Sequence, residues 1–220
     1  MAPPSTPDKW PSADMFGETI EVRVGKPQKS FTVHRGAVSF YSGYFEAAVK
    51  KTFKEGSEGV IELPTEDVAV FELFLRWLYT RRLPETPATG DNFNILVNLW
   101  LFTDRRECPL LANQLLDAMR DEIVRLWQVP TYELHNVYEN TTESSGLRRL
   151  CLYIISRTTG ASKLTDANRA RWPADALWDL AKSIGQLRED KTREMGKDEL
   201  AKLSMCQFHT HENGVECSKK

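Results

Sequence analysis

The chain has 220 residues, 41% hydrophobic and 27% charged, with a formal net charge of −2. That length holds one ample core or a domain with a substantial extension, and the composition is that of an ordinary globular chain. So even a charge balance gives no broad attraction to nucleic acid or an anionic membrane. The pairs Arg81-Arg82, Arg105-Arg106 and Arg148-Arg149 read as solvated surface charge rather than as a basic patch.

Residues 1–15 are rich in Pro and Ser, lack the apolar run of a signal peptide and read as a disordered lead-in. No apolar run approaches the ~20 residues of a membrane span, so the chain is expected inside the cell, in cytoplasm or nucleus. In that setting the sequon Asn140-Thr141-Thr142 meets no glycosylation machinery, and Lys197-Asp198-Glu199-Leu200 is an internal sequence rather than a retention signal. The four cysteines are then thiols or metal ligands rather than a disulfide framework. Cys108 and Cys151 sit among apolar residues and read as small core or helix-end side chains.

Ile20, Val22 and Val24 alternate with Glu21 and Arg23, which predicts a strand over Thr19 to Val24. Gly25-Lys26-Pro27-Gln28 supplies a turn, and Lys29 to His34 returns as a second strand. After His34 the period changes to helical, with Val38, Tyr41, Phe45, Ala48 and Thr52 spaced by three and four. Val60 to Leu63 is a third short strand. Thr65 is placed to cap the next helix, with Glu66 and Asp67 in its first turn. That helix, Val68 to Tyr79, is apolar on almost every face and reads as a buried central helix. Asp91 is placed to cap a helix from Asn92 to about Glu107, whose stripe is Phe93, Leu96, Val97, Trp100 and Thr103. Pro109 opens another, with Leu111, Leu115, Ala118, Met119, Ile123 and Leu126 inward and Asp117, Arg120 and Glu122 outward.

His34, Arg35, Val38, Ser42 and Phe45, followed by the text from Phe53 to Leu83, resemble the motif of the BTB/POZ family, and most closely its short fungal-type single-domain members. Val38 stands where the family more often has Leu. The resemblance implies an α+β fold over residues 16–128, a small β-sheet flanked by a helical cluster. An all-helical extension is expected over 129–205, with helical pieces at Tyr132 to Tyr138 and Leu147 to Thr158. Pro173 opens its last helix, marked by Leu177, Leu180, Ala181, Ile184 and Leu187, before the charge run that follows Leu187.

Chemistry expected of an enzyme is missing from the sequence. There is no G-x-G-x-x-G, no P-loop after Gly25-Lys26, no G-x-S-x-G elbow and no H-E-x-x-H. His34, at a strand-to-helix junction, reads as a hydrogen-bonding junction residue rather than a general base. The resemblance implies a protein–protein interaction module without catalytic activity, acting by self-association, as a homodimer, or by docking a partner. Substrate adaptor of a cullin-type ubiquitin ligase is the alternative within the family. Neither nucleic acid, membrane nor a small-molecule substrate is expected.

The tail, residues 206–220, adds a second class of function. Cys206, His209, His211 and Cys217 bring four soft or borderline ligands together in the spacing C-x2-H-x-H-x5-C, with Asn213-Gly214 as a turn between them. One reading is a zinc-stabilised structural protein with all four as ligands. The other is a polar tail in which these residues fall together by chance.

Overall fold

The computed structural model describes residues 9–50, 59–83, 92–158, 164–189, 195–211 and 217. Their contacts divide the chain into two compact units. The first comprises Met1–Thr89, Asn98–Leu115 and Thr210–Lys220, and the second Gly90–Val97 and Leu116–His209.

In the first unit β1 (Thr19–Val24) pairs antiparallel with β2 (Lys29–His34) and parallel with β3 (Val60–Leu63), giving the order β2-β1-β3. The hairpin needs a left-handed residue, and Gly25 supplies it at φ +72°. A Cβ there would stand 3.1 Å from the Val68 side chain, so the turn also requires close approach. Val22, Val24, Val33, Ile61 and Leu63 are buried, as period-2 alternation over one face demands.

Two short helices follow β2, α1 (Arg35–Tyr41) and α2 (Gly43–Ala48), and Ser42 makes the elbow between them. Its hydroxyl accepts from Phe45 N at 3.2 Å, capping α2, and donates to the carbonyl of Arg106. Gly43 N adds a bond of 3.0 Å to Glu107 O, and a Cβ on Gly43 would collide with the Glu107 side chain. The elbow is thereby fixed on the backbone that follows α4 (Phe93–Arg105).

α3 (Val68–Thr80) fills the centre of this unit. Phe71, Phe74 and Trp77 are wholly buried, and the Phe74 ring lies within 5.1–6.3 Å of Phe45, Phe71, Trp77 and Phe102. The helix is not covered all round, for Tyr79 is 44% exposed. Its cap also differs from the sequence expectation. Asp67, not Thr65, accepts from Ala69 N at 2.7 Å and Val70 N at 3.3 Å. Glu66 is drawn into the interior, where its carboxylate takes Arg105 at 2.9 Å and Arg106 at 2.7 Å. Arg106 is therefore not the solvated surface charge that its sequence suggested; its side chain is 13% exposed. The expected cap Asp91 lies outside the described residues, and the helix begins at Phe93.

α5 (Pro109–Leu126) starts with proline, whose missing N–H costs nothing in a first turn. Leu111, Leu115, Met119 and Ile123 are buried as expected, but so is Glu122. In the second unit that carboxylate takes Arg125 at 2.6 Å and Asn92 at 3.1 Å, and the Arg125 bond holds it below the usual carboxylate range. The second unit continues with α6 (Leu134–Asn140), α7 (Gly146–Thr158), α8 (Ala174–Glu189) and α9 (Lys197–Ala201). Asp179 on α8 accepts from Arg148 of α7 at 2.8 Å and from Tyr138 of α6 at 3.2 Å, while the Arg148 guanidinium lies 4.0 Å from the Tyr138 ring centroid. α8 turns Ala176 and Leu180 inward, leaving Leu177 41% and Trp178 74% exposed, so the expected stripe begins one residue too late. The sequence Lys197-Asp198-Glu199-Leu200 lies in α9, where Leu200 is wholly buried.

Removing the Phe45 ring leaves a cavity beside Phe74. Phe45→Ala is expected to cost ~3–5 kcal/mol in a denaturant melt. Glu66→Ala leaves Arg106 without its buried counter-charge and is expected to cost ~3 kcal/mol by the same measurement. A melt that overlays the wild type would contradict either assignment.

Candidate functional site

The motif residues of the first unit are mainly structural. Val38, Ser42 and Phe45 are fully buried. Arg35 donates to Val49 O at 2.5 Å and pairs with Glu18 at 3.2 Å, so it ties the end of α2 to the residue before β1. His34 is different. Its backbone N donates to Tyr79 Oη at 3.1 Å, its Nδ1 meets the same hydroxyl at 3.1 Å, and its ring stands edge-on to both Tyr79 and Phe16.

These rings form part of an exposed aromatic face. Residues 1–8 of the expected disordered lead-in lie outside the described residues, whereas Ala13–Phe16 forms a 3-10 turn packed on α1. Gly36 permits that packing, since a Cβ there would fall 2.5 Å from Met15 O. The turn presents Phe16, 41% exposed, beside His34 and Tyr79, and Trp10 is 63% exposed. The Arg81 guanidinium sits 5.6 Å from the Trp10 ring, 4.2 Å from Tyr41 and 4.0 Å from Trp77. Burial lowers the pKa of Arg81, and its Nε and Nη1 have no hydrogen-bond acceptor among the described residues. Arg81 also takes φ +58° as the left-handed residue closing α3, a conformation its sequence position did not signal.

The four tail candidates divide. Cys206 lies in the 3-10 turn Met205–Phe208 of the second unit, and His211 and Cys217 belong to the first. His211 Nε2 and Cys217 Sγ are 3.7 Å apart. His209, in the second unit, has its Nε2 3.1 Å from Asp117 Oδ1. Cysteine and histidine side chains of this kind are capable of holding a metal ion. The expected turn at Asn213-Gly214 lies outside the described residues.

The family model of the BTB/POZ domain matches residues 17–102. The chain carries a BTB/POZ domain. The match runs from the residue before Glu18, through the sheet and α1 to α3, to Phe102 in α4; α5 to α9 and the Cys/His tail lie beyond it. No curated protein matches the chain. BTB domains are protein-interaction modules, generally without catalytic activity of their own, and the exposed rings of Tyr79 in the domain and of Trp10 and Phe16 just before it are the feature of the site that packing leaves unexplained. The sequence pointed to His34 and passed over Trp10 and Phe16, while Arg81, expected as solvated surface charge, packs instead on Tyr41 and Trp77. The available signal was aromatic residues in a stretch otherwise rich in Pro and Ser.

The cysteines also divide by environment. Cys108 and Cys151 are buried and their thiols are pushed up to about 12 by burial, whereas Cys206 and Cys217 are partly exposed. At pH 8 a group of pKa 12 is thiolate in roughly one molecule in 10⁴. A disulfide exchange reagent is therefore expected to titrate two thiols in the native, metal-free protein and all four after unfolding. Four fast thiols in the native state would contradict the burial.

Proposed function

We propose that the protein is a non-catalytic interaction module inside the cell, whose BTB domain self-associates through the face made by Trp10, Phe16 and Tyr79. The observation that carries this reading is the exposure of three large aromatic rings on one unit, Phe16 and Tyr79 next to the junction residue His34 and Trp10 next to Arg81. Rings of this size held by a folded scaffold lose little conformational entropy on docking, which makes them effective anchors. A second copy of the chain is the favoured occupant because self-association is a common action of the family. A second reading, substrate adaptor of a cullin-type ligase, draws on the helices α5 to α9 that follow the matched domain and give room for a second contact.

Light scattering on the purified full chain tests the first reading. The wild type is expected at twice the chain mass, and Trp10→Ser/Phe16→Ser at the chain mass with its melting temperature retained. A wild type that stays monomeric over the accessible concentration range overturns self-association. A cullin bound stoichiometrically by that monomer would support the adaptor reading instead.

A further inference from the structure

We propose that the second unit carries a binding pocket for a small, flat, uncharged heteroaromatic molecule, flanked by the rings of Trp127 and Trp172 and recognised through a hydrogen-bond acceptor that meets the Trp172 indole. This goes beyond the interaction reading and does not rest on it. The pocket has a volume of about 260 Å³. Ile123, Trp127 and Val129, at and just beyond the end of α5, line one part of it, and Thr131, Asn168 and Trp172 line another. All of these residues belong to the second unit.

The indole of Trp172 supplies the polar half of the argument. The residue is 7% exposed, and its Nε1 is buried with no acceptor among the described residues. A buried N–H without a partner is costly, so a ligand that brings an acceptor gains an interaction that the free protein lacks. The backbone at Trp127 is the second observation. This residue takes φ +52° directly after α5, the left-handed position where glycine ends a helix without strain. A bulky side chain there is an outlier, and the ring is still 46% exposed, so packing within the chain does not account for it. The third observation is the character of the wall. No charged side chain lines the pocket among the described residues; the lining joins aliphatic and aromatic groups to a few polar ones, the pattern of small-molecule sites. A phosphate, a carboxylate or a metal ion would enter it without a counter-charge, whereas a neutral planar molecule pays no such penalty.

Size and rigidity agree with that class of ligand. An apolar cavity of roughly 150 Å³ takes up benzene, so 260 Å³ has room for two fused rings. The walls are held by the chain's own hydrogen bonds. Around the 3-10 turn Asp166–Arg171, Thr165 N donates to Asn168 Oδ1 at 3.1 Å and Trp172 N donates to Arg169 O at 3.1 Å. His135 Nε2 meets Ala170 O at 2.9 Å, which ties the same turn to α6. Thr158, also in the lining, donates its hydroxyl to Ile154 O at 2.7 Å. A site formed before the ligand arrives loses little to ordering when it binds.

The test uses the full chain, isotope-labelled so that the indole N–H resonances of its six tryptophans are read by nuclear magnetic resonance. The probe is quinoline, uncharged at neutral pH, and the control is naphthalene, which has the same shape without the ring nitrogen. Quinoline should shift the indole resonances of Trp127 and Trp172 along a saturating curve, the Trp172 signal being identified by its loss in Trp172→Phe. Naphthalene should bind the wild type more weakly, roughly fivefold or more. Trp172→Phe should abolish that preference by bringing quinoline down to the affinity of naphthalene. Trp127→Gly should retain the circular dichroism of the wild type, because glycine favours this backbone, and should lose quinoline binding. Quinoline that moves neither indole resonance overturns the pocket, as does undiminished binding by Trp127→Gly. Equal affinity for quinoline and naphthalene in the wild type overturns recognition through the Trp172 indole.

Discussion

The BTB domain of this protein depends on the burial of one ring, Phe74. Four other aromatic side chains meet it, from α2, α3 and α4, and none of the five is exposed. Ring burial of this extent is worth several kcal/mol, comparable with the whole margin of a typical domain. It also explains the local sequence around it. The apolar spacing of α1 and α2 must end at an elbow that returns Phe45 to the same centre, and Ser42 makes that turn while satisfying two backbone groups. Sheet and helices share the constraint, since Phe31 of β2 lies 5.0 Å from Phe71.

Close to this apolar centre lies a small set of obligatory polar contacts. Glu66 is nearly inaccessible and accepts from two arginines, while the backbone carbonyl of one of them receives the Ser42 hydroxyl. Arg106 also lies over the Tyr44 ring at 4.2 Å. A carboxylate so placed is tolerated because its charge and hydrogen-bond capacity are met, and the same fact makes it costly to disturb. The polar contacts thus give the position after α4 a definite geometry, where apolar packing alone would allow several.

Function draws on what the core leaves over. The rings of Trp10, Phe16 and Tyr79 remain exposed, those of Phe16 and Tyr79 edge-on to His34, which also meets the Tyr79 hydroxyl by hydrogen bonds. The tail chemistry is of another kind. There, two cysteines and two histidines within a short stretch of chain are soft to borderline donors, unlike the aromatic rings of the first unit.

The order of elements was legible from the amino-acid pattern alone, because strand and helix periods depend only on neighbouring residues. The switch at His34, the proline opening α5 and the apolar character of α3 were all legible there. The family resemblance was legible for the same reason, since its motif residues are buried or capping groups in one continuous stretch. Tertiary structure decided which charges are interior and which apolar side chains are not. Glu66 and Glu122 carry the same side chain as surface glutamates, and only the arrival of Arg106, Asn92 and Arg125 makes their burial tolerable. Trp178 is as apolar as any core residue, yet α8 turns Ala176 and Leu180 inward and leaves Trp178 exposed. His209 and His211 are two residues apart and alike by composition. What separates them is Asp117, 92 positions away in the chain and in contact only once the chain has folded.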